Sequence, residues 1–222
     1  MQFLKQQEIN ERYITNTNIE QVLKKLNPAV FKTSVAGKSV QQKNIYRIDF
    51  GNGKFKILLW SQMHGNETTT TQAVINLLNK INEEEPLHWL HFFSFTFLPI
   101  LNPDGAEMFT RANANKVDLN RDSENLSQPE SKLLRAVFEE IQPNLALNMH
   151  DQRSIFSAGS GQNTATLSFL APAFNEKRDL NETRIFAMQL IALMANSLKN
   201  TAVLAFGLAS NTPVVVAPVR SS

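Results

Sequence analysis

K-F-K-I-L-L-W-S-Q-M-H-G-N-E-T-T-T-T, running from Lys54 to Thr71, decides how this chain folds. Its first part is continuously apolar from Ile57 to Trp60, the pattern of a strand buried on both faces inside an α/β sheet. From Thr68 to Asn82, Val74, Leu77, Leu78 and Ile81 recur on one helical face, so the chain passes from strand through a turn into a helix. Thr68 to Thr71 are poor helix formers, and packing rather than propensity must hold that helix. The turn carries His64 and Glu67. H-x-x-E at a strand-to-helix turn brings an imidazole and a carboxylate within reach of one small cation, and zinc accepts both. The positive end of the following helix favours the Glu67 carboxylate beside it.

Upstream, Ile19, Val22, Leu23 and Leu26 form the stripe of a short helix with Asn18 as its N-cap and Gln21 three residues on. Asn44 to Phe50 alternates as a strand, and G-N-G at Gly51 to Gly53 predicts a β-hairpin that returns into Lys54 to Trp60. Downstream, Glu83 to Pro86 reads as a solvated break, and H-W-L-H-F-F-S-F-T-F-L-P-I-L (His88 to Leu101) reads as a strand with His88 and His91 in a packing or surface role. N-P-D-G (Asn102 to Gly105) is a turn, followed by a loop holding Arg111 and V-D-L-N-R-D (Val117 to Asp122). Ser127, Pro129 and Glu130 open a helix that Pro143 closes. N-L-A-L-N-M-H-D is a buried strand delivering His150 and Asp151, and Thr166 to Pro172 is one more strand. A last helix over Thr183 to Lys199 is apolar almost all round, which predicts deep packing.

The 222 residues suit one domain, here residues 1–222: an N-terminal helix and hairpin over 18–60, a motif-bearing core over 54–199 and an atypical tail over 200–222. A composition of 42% hydrophobic and 19% charged residues is that of a globular protein without a membrane-length run. The net charge of +2 is too small to argue for nucleic acid, and no dense Lys/Arg stripe would track phosphates, so no nucleic-acid partner is expected. Without cysteine, a metal site must use imidazole and carboxylate. The same absence, with no apolar run behind a basic N-terminus, leads us to expect a cytoplasmic protein with no membrane association.

Three junctions, at Ser61, Leu101 and Met149, deliver polar residues just after apolar strands. Ligands of open α/β sheets bind beyond the carboxyl ends of the strands, so His64, Glu67 and His150 can meet there. Two His and one Glu with an open fourth position is the donor set of a catalytic zinc site, suited to amide or ester hydrolysis.

Taken together, H-G-N-E, N-P-D-G, R-x-N-x-x-x-V-D-L-N-R-D and a strand ending in H-D, in that order over Leu58 to Phe156, resemble the zinc carboxypeptidases related to carboxypeptidase A. The resemblance implies a single three-layer α/β domain, a mixed and mostly parallel sheet between helices, with one zinc ion held by His64, Glu67 and His150. It implies a metallocarboxypeptidase-type hydrolase in which Arg111 stabilises the oxyanion. Asn120 and Arg121 then grip the free carboxylate of a peptide or acylated amino-acid substrate. A guanidinium fork matches a carboxylate in two-point fashion, and a fixed cation is most effective where charge develops. The alternative for Arg121 is an ion pair with Asp118 or Asp122.

One expected part is missing. The family's general base is a glutamate on a late strand, yet the last acidic residue here is Glu182, and Asn200 to Ser222 has no Asp or Glu. The expectation is a truncated or frame-altered C-terminus and a chain whose hydrolysis is impaired. Asp104, Asp122 and Asp151 stand where the family uses acids for support. Two further readings remain: an amidohydrolase of N-acyl amino acids, as in the succinylglutamate desuccinylase and aspartoacylase branch, or a zinc-dependent module that binds peptide carboxylates without cleaving them.

Overall fold

The computed structural model describes residues 13–83, 88–151, 169–171, 173, 175, 177–199 and 214–218. In chain order these form α1 (Asn16–Lys25), β1 (Phe31–Lys38), β2 (Asn44–Gly51), β3 (Phe55–Trp60), α2 (Thr69–Glu83), β4 (Phe93–Leu98), α3 (Pro103–Met108), α4 (Pro129–Ile141), β5 (Leu145–Asn148), β6 (Phe169–Leu170), α5 (Glu182–Lys199) and β7 (Val214–Pro218). The strands make one sheet in the order β1-β2-β4-β3-β5-β7-β6. At its centre β4, β3 and β5 run parallel, so all three end at the same edge. The pairs β1–β2, β2–β4 and β5–β7 are antiparallel, which makes the sheet evenly mixed rather than mostly parallel. Within the tail that shows no period in sequence, β7 pairs antiparallel with β5. Of the strand expected over 166–172, only Phe169–Leu170 falls among the described residues as strand.

The hairpin expected at G-N-G does not form. β4 inserts between β2 and β3, pairing antiparallel with the first and parallel with the second. The amides of Asn52, Gly53 and Phe55 donate to the carbonyls of Leu90, Phe93 and Phe92, so the start of β4 takes the hydrogen bonds that a hairpin would have used. Gly51 stands at φ +77°, in the left-handed region that glycine enters without strain. The hairpin is instead β1–β2, from Phe31 opposite Phe50 to Lys38 opposite Asn44. As the edge strand, β1 buries only Phe31, and an exposed edge has no alternation to read.

Gly53 gives this insertion a direct test. A Cβ there would fall 1.8 Å from the carbonyl carbon of Phe92 and 2.0 Å from the nitrogen of Phe93, backbone atoms that cannot yield without loosening β4. The Gly53→Ala variant is expected to lose at least ~2 kcal/mol of stability, read as a lower urea midpoint. An unchanged midpoint would contradict the close approach.

Helices cover both faces of the sheet. On one side Ile19 and Val22 of α1, Val74, Ile75, Leu78 and Ile81 of α2 and Ala187 of α5 join Ile57, Leu59 and Phe97 in the larger core. On the other, Val137, Leu133, Leu134 and Phe138 of α4 pack with Leu58, Leu98, Leu101 and Leu119. α5 is less buried than its composition predicted: Ala187 and Ala195 are buried, but Met188 is 48% and Leu193 68% exposed, because one face alone meets the sheet. α1 is capped by Thr15 rather than Asn18, whose side chain instead accepts the Thr15 amide at 2.9 Å from the third helical position. His88 to His91 is a 3-10 turn ahead of β4, not strand, and both imidazoles are exposed.

Candidate metal centre

The parallel ends of β4, β3 and β5 carry the three junctions read in the sequence. Backbone bonds stitch them together: Ser61 donates to Leu98, Leu101 to Ser61, Asn102 to Gln62, and Met149 to Trp60. Gln62 adds side-chain donation from Nε2 to the carbonyls of Gly65 at 2.9 Å and Ile14 at 3.0 Å. N-P-D-G is not a simple turn. Asn102 caps α3 by accepting the Gly105 amide, and its own amide donates to the Met63 carbonyl, so α3 buttresses the His64 turn.

These ends bring His64, Glu67 and His150 together. All three are buried, with one donor atom from each lying within 4.8 Å of the others. His64 Nδ1 lies 2.8 Å from Glu67 Oε1, and His150 Nδ1 lies 2.7 Å from Glu67 Oε2. On the far side of its ring, His64 Nε2 lies 3.0 Å from Asp118 Oδ1. Asp151 donates its amide to Glu67 Oε2 at 3.2 Å and accepts from Thr69 Oγ1 at 2.6 Å. Burial alone would raise the Glu67 carboxyl, but the hydrogen bonds from His150 and His64 outweigh it and bring it down to about 2.

The donor set fits a cation. His64 sits between two carboxylates, and a neutral imidazole has only one N–H to give. If Nε2–H donates to Asp118, the Nδ1 lone pair faces the Glu67 carboxylate, and a metal ion satisfies both. This is the arrangement in which a carboxylate beyond the ligand fixes the tautomer of a metal-bound histidine. His150 Nε2 is buried with no hydrogen-bond partner among the described residues.

Arg111 lies at the rim, about half exposed, with Nη1 3.4 Å from Glu67 Oε1 and Nε 3.0 Å from Asp118 Oδ2. Asn120 is half-buried and its Oδ1 accepts from Asn148 Nδ2 at 3.4 Å, on the floor of the same edge. Arg121 is exposed and touches neither Asp118 nor Asp122 through its side chain, so the ion pair considered as an alternative is absent. Nor does it contact the His64 cluster. Asp118 is the residue whose role was not read from sequence. Burial raises its carboxyl, yet the His64 hydrogen bond followed by Arg111 holds it below the ordinary aspartate range. Its place in V-D-L-N-R-D, two residues before Asn120, was the available signal. Asn113 was also missed: its Oδ1 accepts the amides of Asn115 and Val117, folding the loop so that Arg111 and Asp118 meet. Gln128 and Glu130 hold the Asn113 amide from the start of α4.

Two of the carboxylates considered as bases are committed elsewhere. Asp104 accepts from Ser39 Oγ and the Gln41 amide. Asp122 accepts from Ser127 Oγ at 2.6 Å and from the amides of Ser127 and Gln128. Burial works to raise the Asp122 carboxyl, but these hydrogen bonds from the N-terminus of α4 bring it down to about 2. A depressed folded-state value stabilises the fold above the unfolded aspartate pKa of about 4 and is lost as pH falls through about 2. The Asp122→Asn variant is therefore expected to be less stable than the parent at pH 6, with a flatter dependence on pH between 5 and 2 in chemical unfolding. Parallel curves for the two proteins would contradict it.

Residues 17–122 match the zinc carboxypeptidase family model. Carboxypeptidase 2 of Trichophyton rubrum is 31% identical over 108 residues, covering 48% of this chain and 19% of the relative. The carboxypeptidase SOL1 of Arabidopsis thaliana is 28% identical over 169 residues, 64% of this chain and 34% of the relative. The chain thus spans a fifth to a third of the length of these relatives. The fold is shared with carboxypeptidase A of Helicoverpa armigera, with a TM-score of 0.66 at 18% identity over 90% of this chain and 55% of that one. The order of motifs and the His-Glu-His cluster agree with that match: residues 17–122 are similar to the zinc carboxypeptidase family, and the fold is one shared with carboxypeptidases.

Proposed function

We propose that the chain is a zinc-dependent hydrolase of the metallocarboxypeptidase type, acting on the C-terminal bonds of peptides, with one ion held by His64, Glu67 and His150. The observation that carries this reading is the Glu67 carboxylate bracketed by two imidazole Nδ1 atoms at 2.8 and 2.7 Å, at the shared end of three parallel strands. A bound zinc ion supplies carbonyl polarisation and a water whose pKa lies near about 7. Around it, Asp118 orients His64 by accepting at Nε2, and Arg111 supplies a fixed positive charge for the oxyanion. Asn120 and Arg121 take the substrate's free carboxylate; the exposed Arg121 guanidinium has no competing partner among the described residues. The absence of cysteine fits a reducing compartment such as the cytoplasm. Among the described residues no helix is long and apolar enough to cross a membrane.

A second reading has its own support. Beside the cluster the described carboxylates are Asp118 and Asp151, one engaged by His64 and Arg111, the other by Thr69. Without a free base, hydrolysis slows by about 10²- to 10⁴-fold, and the site acts as a zinc-dependent binder of peptide carboxylates. The third, hydrolysis of N-acyl amino acids, shares the donor set and differs in substrate.

One set of measurements separates them: zinc content after metal loading and dialysis, with binding and turnover of free-acid peptides, their C-terminal amides and N-acyl amino acids. One zinc per chain, with free acids bound at least about 10-fold more tightly than amides, is expected from two-point recognition by Arg121. Protein that retains no zinc, or that treats acids and amides alike, would remove the proposal. Binding without turnover would select the second reading, and turnover confined to N-acyl amino acids the third.

A further inference from the structure

A concavity of about 270 Å³ lies on the sheet face covered by α4. Trp60, Met63, Leu119, Leu126, Leu134 and Phe138 wall it, so its surface is mostly apolar. Three polar groups in this lining, Trp60 Nε1, Ser131 Oγ and the Arg135 guanidinium, have no partner among the described residues. The indole Nε1 of Trp60 is buried and makes no hydrogen bond. The Arg135 guanidinium is exposed at the edge and, among the described residues, forms no ion pair. None of these side chains is used in the reading of the metal centre.

A guanidinium at the mouth selects an anionic acceptor, and a carboxylate offers two oxygens in the geometry that arginine matches. The apolar walls require the remainder of the ligand to be hydrocarbon or aromatic. At about 30 Å³ per water, the space holds on the order of ten non-hydrogen atoms.

We propose that this concavity is a binding site for a small apolar carboxylate, with its body against Trp60, Leu119, Leu134 and Phe138 and its charge toward Arg135. The site is separate from the Asn120 and Arg121 clamp but coupled to the same edge through the chain. Met63 immediately precedes His64, and Leu119 lies between Asp118 and Asn120. Met63 Sδ is also 3.7 Å from Asn148 Nδ2, whose other bond is to Asn120. Such a ligand has two natural sources, an aliphatic acid or an aromatic acid of the kind an amino-acid residue provides.

Calorimetric titration of the full chain with octanoate, 3-phenylpropionate and octanol tests the site. At least one carboxylate is expected to bind with one-to-one stoichiometry, about 10-fold or more tighter than octanol, and the tighter of the two acids identifies the source. Arg135→Gln should abolish the preference for acid over alcohol. Leu134→Trp, which fills the space, should abolish binding while leaving zinc retention unchanged. The proposal is overturned if neither acid binds at millimolar concentration, if octanol binds as well as octanoate, or if binding survives Leu134→Trp in protein whose unfolding curve matches the parent. Binding that is lost with Arg121→Ala but kept with Leu134→Trp would assign the carboxylate to the metal-centre clamp and also overturn it.

Discussion

Zinc retention is expected to fall by more than 100-fold when Glu67 is replaced by glutamine. Loss of a group one shell outside a metal ligand already costs about 10–100-fold in affinity, and Glu67 is read here as a ligand itself. The carboxylate is also the node of the site, contacting both imidazoles, Arg111 and the Asp151 amide. An amide has one acceptor oxygen, so it can serve one imidazole while presenting N–H groups to the other. The fold should persist, since Glu67 lies beyond β3 and its neighbours are polar. The loss should be on the order of one charge-assisted hydrogen bond, about 1.5–3 kcal/mol. Metal analysis after dialysis, with circular dichroism and a urea titration, reads both effects. A Glu67→Gln protein that keeps one zinc per chain would exclude Glu67 as a ligand.

Gly65→Ala is the second large effect. The added Cβ would lie 2.0 Å from the carbonyl carbon of Gly105 and 2.2 Å from the nitrogen of Ala106, inside the backbone of α3. No side-chain rotation relieves this contact. The turn must move away from α3, breaking the donation from Asn102 to Met63 and displacing both His64 and Glu67. The expected loss is at least ~3 kcal/mol in urea unfolding, with zinc retention lost even in protein that still folds. Gly105→Ala offers a milder comparison, because its closest neighbour is the Asn102 side-chain nitrogen at 2.5 Å, next to the Ala112 carbonyl oxygen at 2.7 Å. A Gly65→Ala variant as stable as the parent would show that the turn and α3 do not touch as described.

Much of the centre was legible because its residues stand at transitions in hydropathy. A strand buried on both faces is an unbroken apolar run, and the first polar residue after it marks the sheet edge, as at Ser61 after β3 and His150 just beyond β5. Three such runs, with junctions at Ser61, Leu101 and Met149, were enough to predict convergence of the two histidines and Glu67. Partners set by side-chain direction were less accessible. Asp118 and Asp122 sit four apart in one loop, yet one faces His64 and the other the start of α4. Nothing local in V-D-L-N-R-D distinguishes them.

The primary structure by itself determined that the apolar runs before Ser61, Leu101 and Met149 are strands reaching one edge, and that imidazole and carboxylate rather than thiolate must form the site. Those features follow from local hydropathy and residue chemistry, which are written position by position. Only the tertiary structure decided that β4 lies between β2 and β3, that α5 leaves one face open, and that Asp118 closes the far side of His64. Strand order and the direction of a loop side chain are settled by competition among distant segments for the same hydrogen bonds and the same apolar area. At G-N-G, Leu90 and the first residue of β4, nearly forty residues downstream, out-competed the adjacent strand for the backbone of Asn52 and Gly53.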